Sequence, residues 1–363
     1  MTQQPIPKPG IRDISPYTPG KSKMQGDARV IKLSSNENPW GPSPKAIAAF
    51  QSLAGELHRY PDGGHATLRE AIADSQHLPA AQIICGAGSD ELIGMLVHAY
   101  AGVGDEVLYT AHGFLMYKIY ALGNGATPVT APEKDLHTDV DALLAAVTPR
   151  TKIVFVANPN NPTGTVIPFS EIRRLRAGLR EDIILGLDAA YAEYLDSPDY
   201  EDGLRLVKEG SNTVVFHTFS KIHGLPALRL GWAFAPAPMI DVLNRVRSPF
   251  NVSAPALAAG VAAIGDAGYL AAMRAKNAAE RARVAQAIAA HGYLVVPSVT
   301  NFVLVRFGED TAKVNAHLAA HGLIVREVAA YGLPDYLRIS IGTAEENTLL
   351  LAALDAFAKA RAA

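Results

Sequence analysis

The chain has 363 residues, 49% of them hydrophobic and 19% charged, which is enough to bury a sizeable core in about two domains. Thirty-three Lys and Arg against 35 Asp and Glu leave a formal charge of -2, which excludes a global basic field for nucleic acid or an anionic membrane and leaves small molecules and further copies of the chain as partners. One cysteine, Cys85, excludes an intramolecular disulfide, and no run of about 18 apolar residues offers a membrane span, so a cytoplasmic protein is expected.

Residues 1–28 carry Pro5, Pro7, Pro9, Gly10, Pro16, Pro19 and Gly20, a density of breakers that predicts an extended arm lying on another surface; the polar start does not resemble a signal peptide. Residues 46–245 are expected to form a large domain, and residues 29–45 with 246–363 a smaller α+β domain. In the large domain, Q-I-I-C-G-A-G-S-D-E reads as strand, glycine turn and helix, with Cys85 a buried thiol at the strand end. The backbone N–H groups of Ser89, Asp90 and Glu91 would open that helix toward a phosphate, or Ser89 or Asp90 would serve only as its N-cap. D-E-V-L-Y-T predicts a strand ending at Thr110, and Phe114 beyond it would stack on a flat ring or pack in the core. T-K-I-V-F-V-A-N-P, D-I-I-L-G-L-D and N-T-V-V-F-H-T are strands apolar on both faces, separated by helical stretches such as S-E-I-R-R-L-R-A-G-L. They imply a mostly parallel sheet covered on both sides, with ligands at the strands' carboxyl ends.

Three of those ends carry chemistry. Asn161, in N-P-N-N-P-T-G, offers an amide donor for a phenolate oxygen. Asp188, with Tyr191 three residues later, is an acid at the end of a buried strand and needs a cationic partner such as a protonated pyridine nitrogen. Lys221, in T-F-S-K-I-H-G-L-P-A-L-R, is an amine nucleophile beside Thr218, Ser220 and Arg229, whose donors suit a phosphate dianion. His217 and His223 flank the lysine as packing or supporting groups, and no H-E-x-x-H or clustered Cys/His spacing calls for a metal. Beyond residue 250 a long Ala-rich helix, P-A-L-A-A-G through A-I-A-A-H-G, precedes the strands Y-L-V-V-P-S, N-F-V-L-V-R-F, G-L-I-V-R-E-V and Y-L-R-I-S-I-G and a last helix.

The segments P-Y-T-P-G-K-S, K-L-S-S-N-E-N-P-W-G-P-S-P, H-R-Y-P-D-G-G, G-S-D-E, N-N-P-T-G, D-A-A-Y, T-F-S-K through Arg229, and Y-L-R-I-S-I-G-T span nearly the whole chain. Together they resemble the fold-type-I, pyridoxal-5'-phosphate (PLP)-dependent aminotransferases of the class-II group. The resemblance implies an α/β fold, with Lys221 as the Schiff-base lysine, Asp188 at the pyridinium and Asn161 and Tyr191 at the phenolic oxygen. It places Phe114 on the ring and Ser89, Asp90, Thr218, Ser220 and Arg229 around the cofactor phosphate, with Tyr60 reaching a neighbouring subunit's phosphate across a homodimer. Tyr17, Asn36, Arg326 and Arg338 would bind substrates, with glutamate/2-oxoglutarate and imidazole-acetol phosphate/histidinol phosphate implied as the two pairs. Ile222, Pro226, Ala227 and Phe114 depart from the usual pattern without removing a functional group. Aromatic amino acid transamination, a phospho-amino-acid decarboxylase and a non-catalytic regulator use the same frame and stay open as alternatives.

Overall fold

The computed structural model describes residues 6–16 and 30–362. A seven-stranded sheet runs in the order Ile83–Gly86, Gly231–Phe234, Thr213–Thr218, Ile184–Asp188, Thr151–Ala157, Glu106–Thr110, Thr127–Ala131. Its middle strands are buried along their whole length or nearly so, as strands covered by helices on both faces must be. All pairings are parallel except those of Gly231–Phe234, which runs antiparallel to both neighbours. Cys85 lies wholly inside, and burial pushes its thiol up to about 12, so it is inert packing.

A second, four-stranded antiparallel sheet has the order Leu294–Val296, Phe302–Arg306, Tyr336–Ser340, Arg326–Glu327. The run G-L-I-V-R-E-V, expected as one strand, divides: Leu323–Ile324 pairs in parallel with Ile31–Lys32, and only Arg326–Glu327 joins the sheet. The expected single Ala-rich helix also divides, into Ala254–Ile264 and Ala267–Ala290, which meet at 79°. Asp266 holds that corner, accepting hydrogen bonds from Ser43 Oγ at 2.5 Å and Lys45 Nζ at 3.2 Å.

Ala256, Ala259, Ala263 and Ile264 share one buried core with Phe234, Leu230 and Ala46 of the large unit, whereas Val284 and Ile288 pack with Val303, Val305 and Leu337. The helix Ala254–Ile264, beyond the expected division at 245/246, thus packs into the large core. Of the expected arm, Gly10 and the turn Ile11–Asp13 lie beside the helix Leu115–Gly123, so close that a Cβ on Gly10 would meet Leu122 O at 2.8 Å. Among the described residues no single helix is long and apolar enough to cross a membrane.

Candidate active site

One cavity of about 210 Å³ opens where the carboxyl ends of the large sheet's strands face the smaller unit. From the large unit it is lined by Ser89, Asp90, Phe114, Asn161, Asp188, Tyr191, Thr218, Ser220, Lys221 and Arg229, and from the segments leading into the smaller unit by Asn36, Arg326, Tyr331 and Arg338. Residues scattered from 36 to 338 thus converge because parallel strands all present their carboxyl ends to one edge.

At one end of the cavity the strand Ile83–Gly86 turns through Gly88 into the helix Ser89–Tyr100. Glu91 closes this start from outside: its Oε2 accepts hydrogen bonds from Ala87 N and from Asn251 Nδ2, each at 2.6 Å. Glu91 therefore caps the helix and is not among the cavity-lining residues, unlike Ser89 and Asp90. Arg229, held at φ 49°, donates from Nη1 to Ser220 Oγ at 3.3 Å and pairs through Nη2 with Asp90 Oδ2 at 3.1 Å. Ser220 N donates to Thr218 Oγ1 at 3.1 Å. Two glycines make this cup possible. A Cβ on Gly88, whose φ is +85°, would lie 2.5 Å from Arg229 Nη2, and one on Gly231 would lie 2.4 Å from Ser89 N.

At the other end stands Asp188, with 6% exposure. Burial pushes its carboxyl above the ordinary range, while hydrogen bonds from Tyr117 Oη (2.9 Å) and Ala190 N (3.2 Å) pull it down. Between the two ends, Lys221 Nζ lies 5.5 Å from the centroid of the Tyr191 ring. Asn36, itself at φ 55° and locked to Ser340, donates from Nδ2 to Tyr191 Oη at 2.8 Å, so that hydroxyl can turn its own proton into the cavity. Burial pushes the Tyr191 phenol up to about 12, which keeps it a donor.

The smaller unit supplies two further cations. Arg338, 6% exposed, donates from Nη1 to Asn161 Oδ1 at 2.5 Å and from Nη2 to Ser34 O at 2.9 Å. Its guanidinium carbon lies 5.3 Å from the centroid of the Phe302 ring. Arg326 stands opposite Arg338 in the antiparallel register. Two arginines side by side on one wall give it a positive character that suits anions.

These residues fit PLP. The glycine-lined cup gathers a helix start, a hydroxyl and a guanidinium for a phosphate, and the sealed acid matches a ring cation. Phe114 lines the space between, with Asn161 and Tyr191. Of the other expected residues, one lies apart and one cannot be placed. Tyr60 is 83% exposed, stacked on Phe250 at 4.6 Å and outside the cavity, and Tyr17 lies outside the described residues. Tyr117 and Tyr331 were missed from sequence. Only Tyr117 had a signal, because it follows Phe114 by three residues in a helical stretch and so shares its face.

Beneath the lysine loop, His217 lies between Glu193 Oε1, 3.1 Å from Nδ1, and Asp202 Oδ2, 3.4 Å from Nε2, and stacks on Trp232 at 4.3 Å. Burial alone would lower its pKa, but the two carboxylates prevail and raise it to about 10, so the imidazole is a cation. Burial keeps His223 below the ordinary range and neutral. Among the described residues there is no group of three or more His, Cys, Asp or Glu side chains able to hold a metal ion.

The model of the family "Aminotransferase class I and II" matches residues 28–354. The chain belongs to that family and is a PLP-dependent aminotransferase. Within the family it is similar to histidinol-phosphate aminotransferases along nearly its whole length. It is 57% identical to that of Paramagnetospirillum magneticum, over 97% of this chain and 98% of the relative, and 53% identical to one of Rhodopseudomonas palustris, over 98% of each. The crystal structure of the Sinorhizobium meliloti histidinol-phosphate aminotransferase in complex with PLP superimposes with a TM-score of 0.87 at 30% identity, over 92% of both chains.

Proposed function

We propose that the enzyme transfers an amino group between glutamate and imidazole-acetol phosphate, yielding 2-oxoglutarate and histidinol phosphate, and that it acts as a cytoplasmic homodimer in histidine biosynthesis. The observation that carries this reading is the arginine pair: Arg326 and Arg338 face one cavity from adjacent strands and suit two substrates with different anionic ends. The names of relatives at 53–57% identity support the same substrates.

Bound in the cavity, PLP supplies an aldehyde that exchanges amines and a ring that draws charge off the donor's α-carbon. Ser89 N, Thr218, Ser220 and Arg229 would hold its phosphate, and Asn161 and Tyr191 would donate to its phenolic oxygen. Asp188 would accept the ring N–H and keep that proton in place, and Phe114 would cover the ring face. Lys221 Nζ would hold the cofactor's aldehyde carbon as an amine and, once released, would take and carry the proton of the substrate α-carbon. Arg338 grips the glutamate carboxylate in one half-reaction, and with Arg326 and Tyr17 the phosphate of the second substrate in the other. Asn36 orients Tyr191 and borders the substrate. Tyr60 reaches the phosphate cup of the second subunit, consistent with its exposure in one chain.

Steady-state comparison of imidazole-acetol phosphate with phenylpyruvate, at fixed glutamate, tests the assignment. A phosphate held by charge-assisted bonds is worth about 2 kcal/mol, so kcat/KM should favour imidazole-acetol phosphate by about 30-fold or more. Equal or reversed efficiencies would make the enzyme an aromatic amino acid transaminase.

A further inference from the structure

Tyr117 is fully buried on the helix Leu115–Gly123, behind the cavity and not lining it. Its ring stacks on Phe155 with centroids 4.6 Å apart and planes at 6°, and it meets Tyr109 and Phe114 edge-on, each at 5.8 Å. Phe155 can occupy that place because its register partner on the next strand is Gly186, where a Cβ would lie 2.6 Å from Phe155 Cδ1. Gly186 and Asp188 are two apart on one strand and so project from the same face. The missing side chain at 186 thus admits an aromatic stack that carries Tyr117 Oη to Asp188 Oδ2, at 2.9 Å.

We propose that Tyr117 is a positioning residue that holds Asp188 as a carboxylate, so that the proton shared between this acid and the cofactor's ring nitrogen stays on the ring. The proposal rests on the reading of Asp188 as the ring-nitrogen partner. An acid removed from water tends to its neutral form, and a protonated Asp188 would donate to the ring instead of accepting from it. The ring would then lose the positive charge that makes it an electron sink. Asp188 receives a protein hydrogen bond on each oxygen, from Tyr117 and from Ala190 N, and both favour the anion. The charges around it divide, Asp90 favouring the neutral acid and Lys221 the carboxylate. Tyr117, sealed among aromatic rings, keeps its own proton and is a fixed donor.

The test is ring-nitrogen NMR of wild type, Tyr117→Phe and Asp188→Asn, each reconstituted with PLP carrying ¹⁵N in the ring, titrated with pH. Phenylalanine preserves the stack on Phe155, so the thermal midpoint should change little. Losing one hydrogen bond to a charged group should shift the shared proton toward Asp188 by about tenfold in Tyr117→Phe, lowering the protonated fraction of the ring nitrogen read from its ¹⁵N shift across the neutral range, with kcat about tenfold lower and the glutamate KM little changed. Asp188→Asn should leave the ring nitrogen unprotonated throughout. If Tyr117→Phe titrates as wild type does while Asp188→Asn is unprotonated, Tyr117 is structural only and the proposal is overturned. If Asp188→Asn also keeps a protonated ring, the reading of Asp188 fails and the proposal with it.

Discussion

Replacing Arg338 with alanine removes a guanidinium that has two tasks in the cavity. It lines the cavity, and through Nη1 it holds the carbonyl oxygen of Asn161 at 2.5 Å, which would leave that side chain's amide for the proposed contact with the cofactor's phenolic oxygen. A charge-assisted contact to a carboxylate in so buried a place is worth about 2–3 kcal/mol, which corresponds to a fall of about 30- to 150-fold. The loss should appear in both half-reactions, because each substrate presents an anion to the same arginine. The assay is single-turnover spectrophotometry: loss of the cofactor's absorbance with glutamate, and its return with imidazole-acetol phosphate. Arg338→Lys should recover only part, since an ammonium cannot reach Asn161, Ser34 O and the substrate as a planar fork does. A loss confined to the glutamate half-reaction would refute the shared grip and leave the substrate phosphate to Arg326 and Tyr17. A fall of less than about threefold in both would refute a role for Arg338 in anion binding altogether.

Gly231→Ala places a methyl group against Ser89 N and Gly88 C, backbone atoms that cannot swing aside, and should cost about 1–3 kcal/mol with a rise of tenfold or more in the PLP dissociation constant; thermal melting and equilibrium dialysis measure the two. His217 is a folded-state cation with a pKa raised to about 10 from an ordinary 6.5, so its stabilisation is full below about pH 6.5 and is lost as pH rises through about 10. His217→Gln, leaving Glu193 and Asp202 without their partner, should be less stable by about 3 kcal/mol at neutral pH and should lack that alkaline decline, as urea unfolding at several pH values will show. Mixing inactive Tyr60→Ala with inactive Lys221→Ala subunits should restore activity in hybrid dimers, and verified hybrids without activity would place Tyr60 outside any shared site.

The strand ends were legible because buried strands write themselves as apolar runs: D-I-I-L-G-L-D became Ile184–Asp188 and N-T-V-V-F-H-T became Thr213–Thr218, each delivering its polar residue to the cavity. Direction is a different matter. L-G-W-A-F carries no mark that Gly231–Phe234 would run against its neighbours, since an apolar run reads the same for either polarity. The Ala-rich stretch after residue 250 hid its 79° corner for a related reason: Gly265 and Asp266 are ordinary within a helical pattern, and the turn depends on Ser43 and Lys45 from far up the chain. Glu91 was expected to offer its backbone N–H at that helix start, and nothing in G-S-D-E foretold that its side chain would turn back to close the start from outside. Tyr331 reaches the cavity from a short turn, Ala329–Tyr331, whose sequence has no periodicity to betray it.

The reversed strand has a consequence for how such an enzyme can be altered. Thr218 and Gly231 are paired across the sheet, so the loop Phe219–Leu230 is closed at its base, and it carries both Lys221 and Arg229. Adding or deleting a residue within it would change the spacing between Lys221 and Arg229 with no free end to absorb the slip. Insertional variation should be fatal there. New substrates must instead be accommodated across the cavity, where Arg326 and Tyr331 sit on short segments of the smaller unit that can change side chains without disturbing the lysine. The fold thereby separates an unalterable anchor from an editable wall, and a library confined to residues 326–333 is the place to seek altered substrate range.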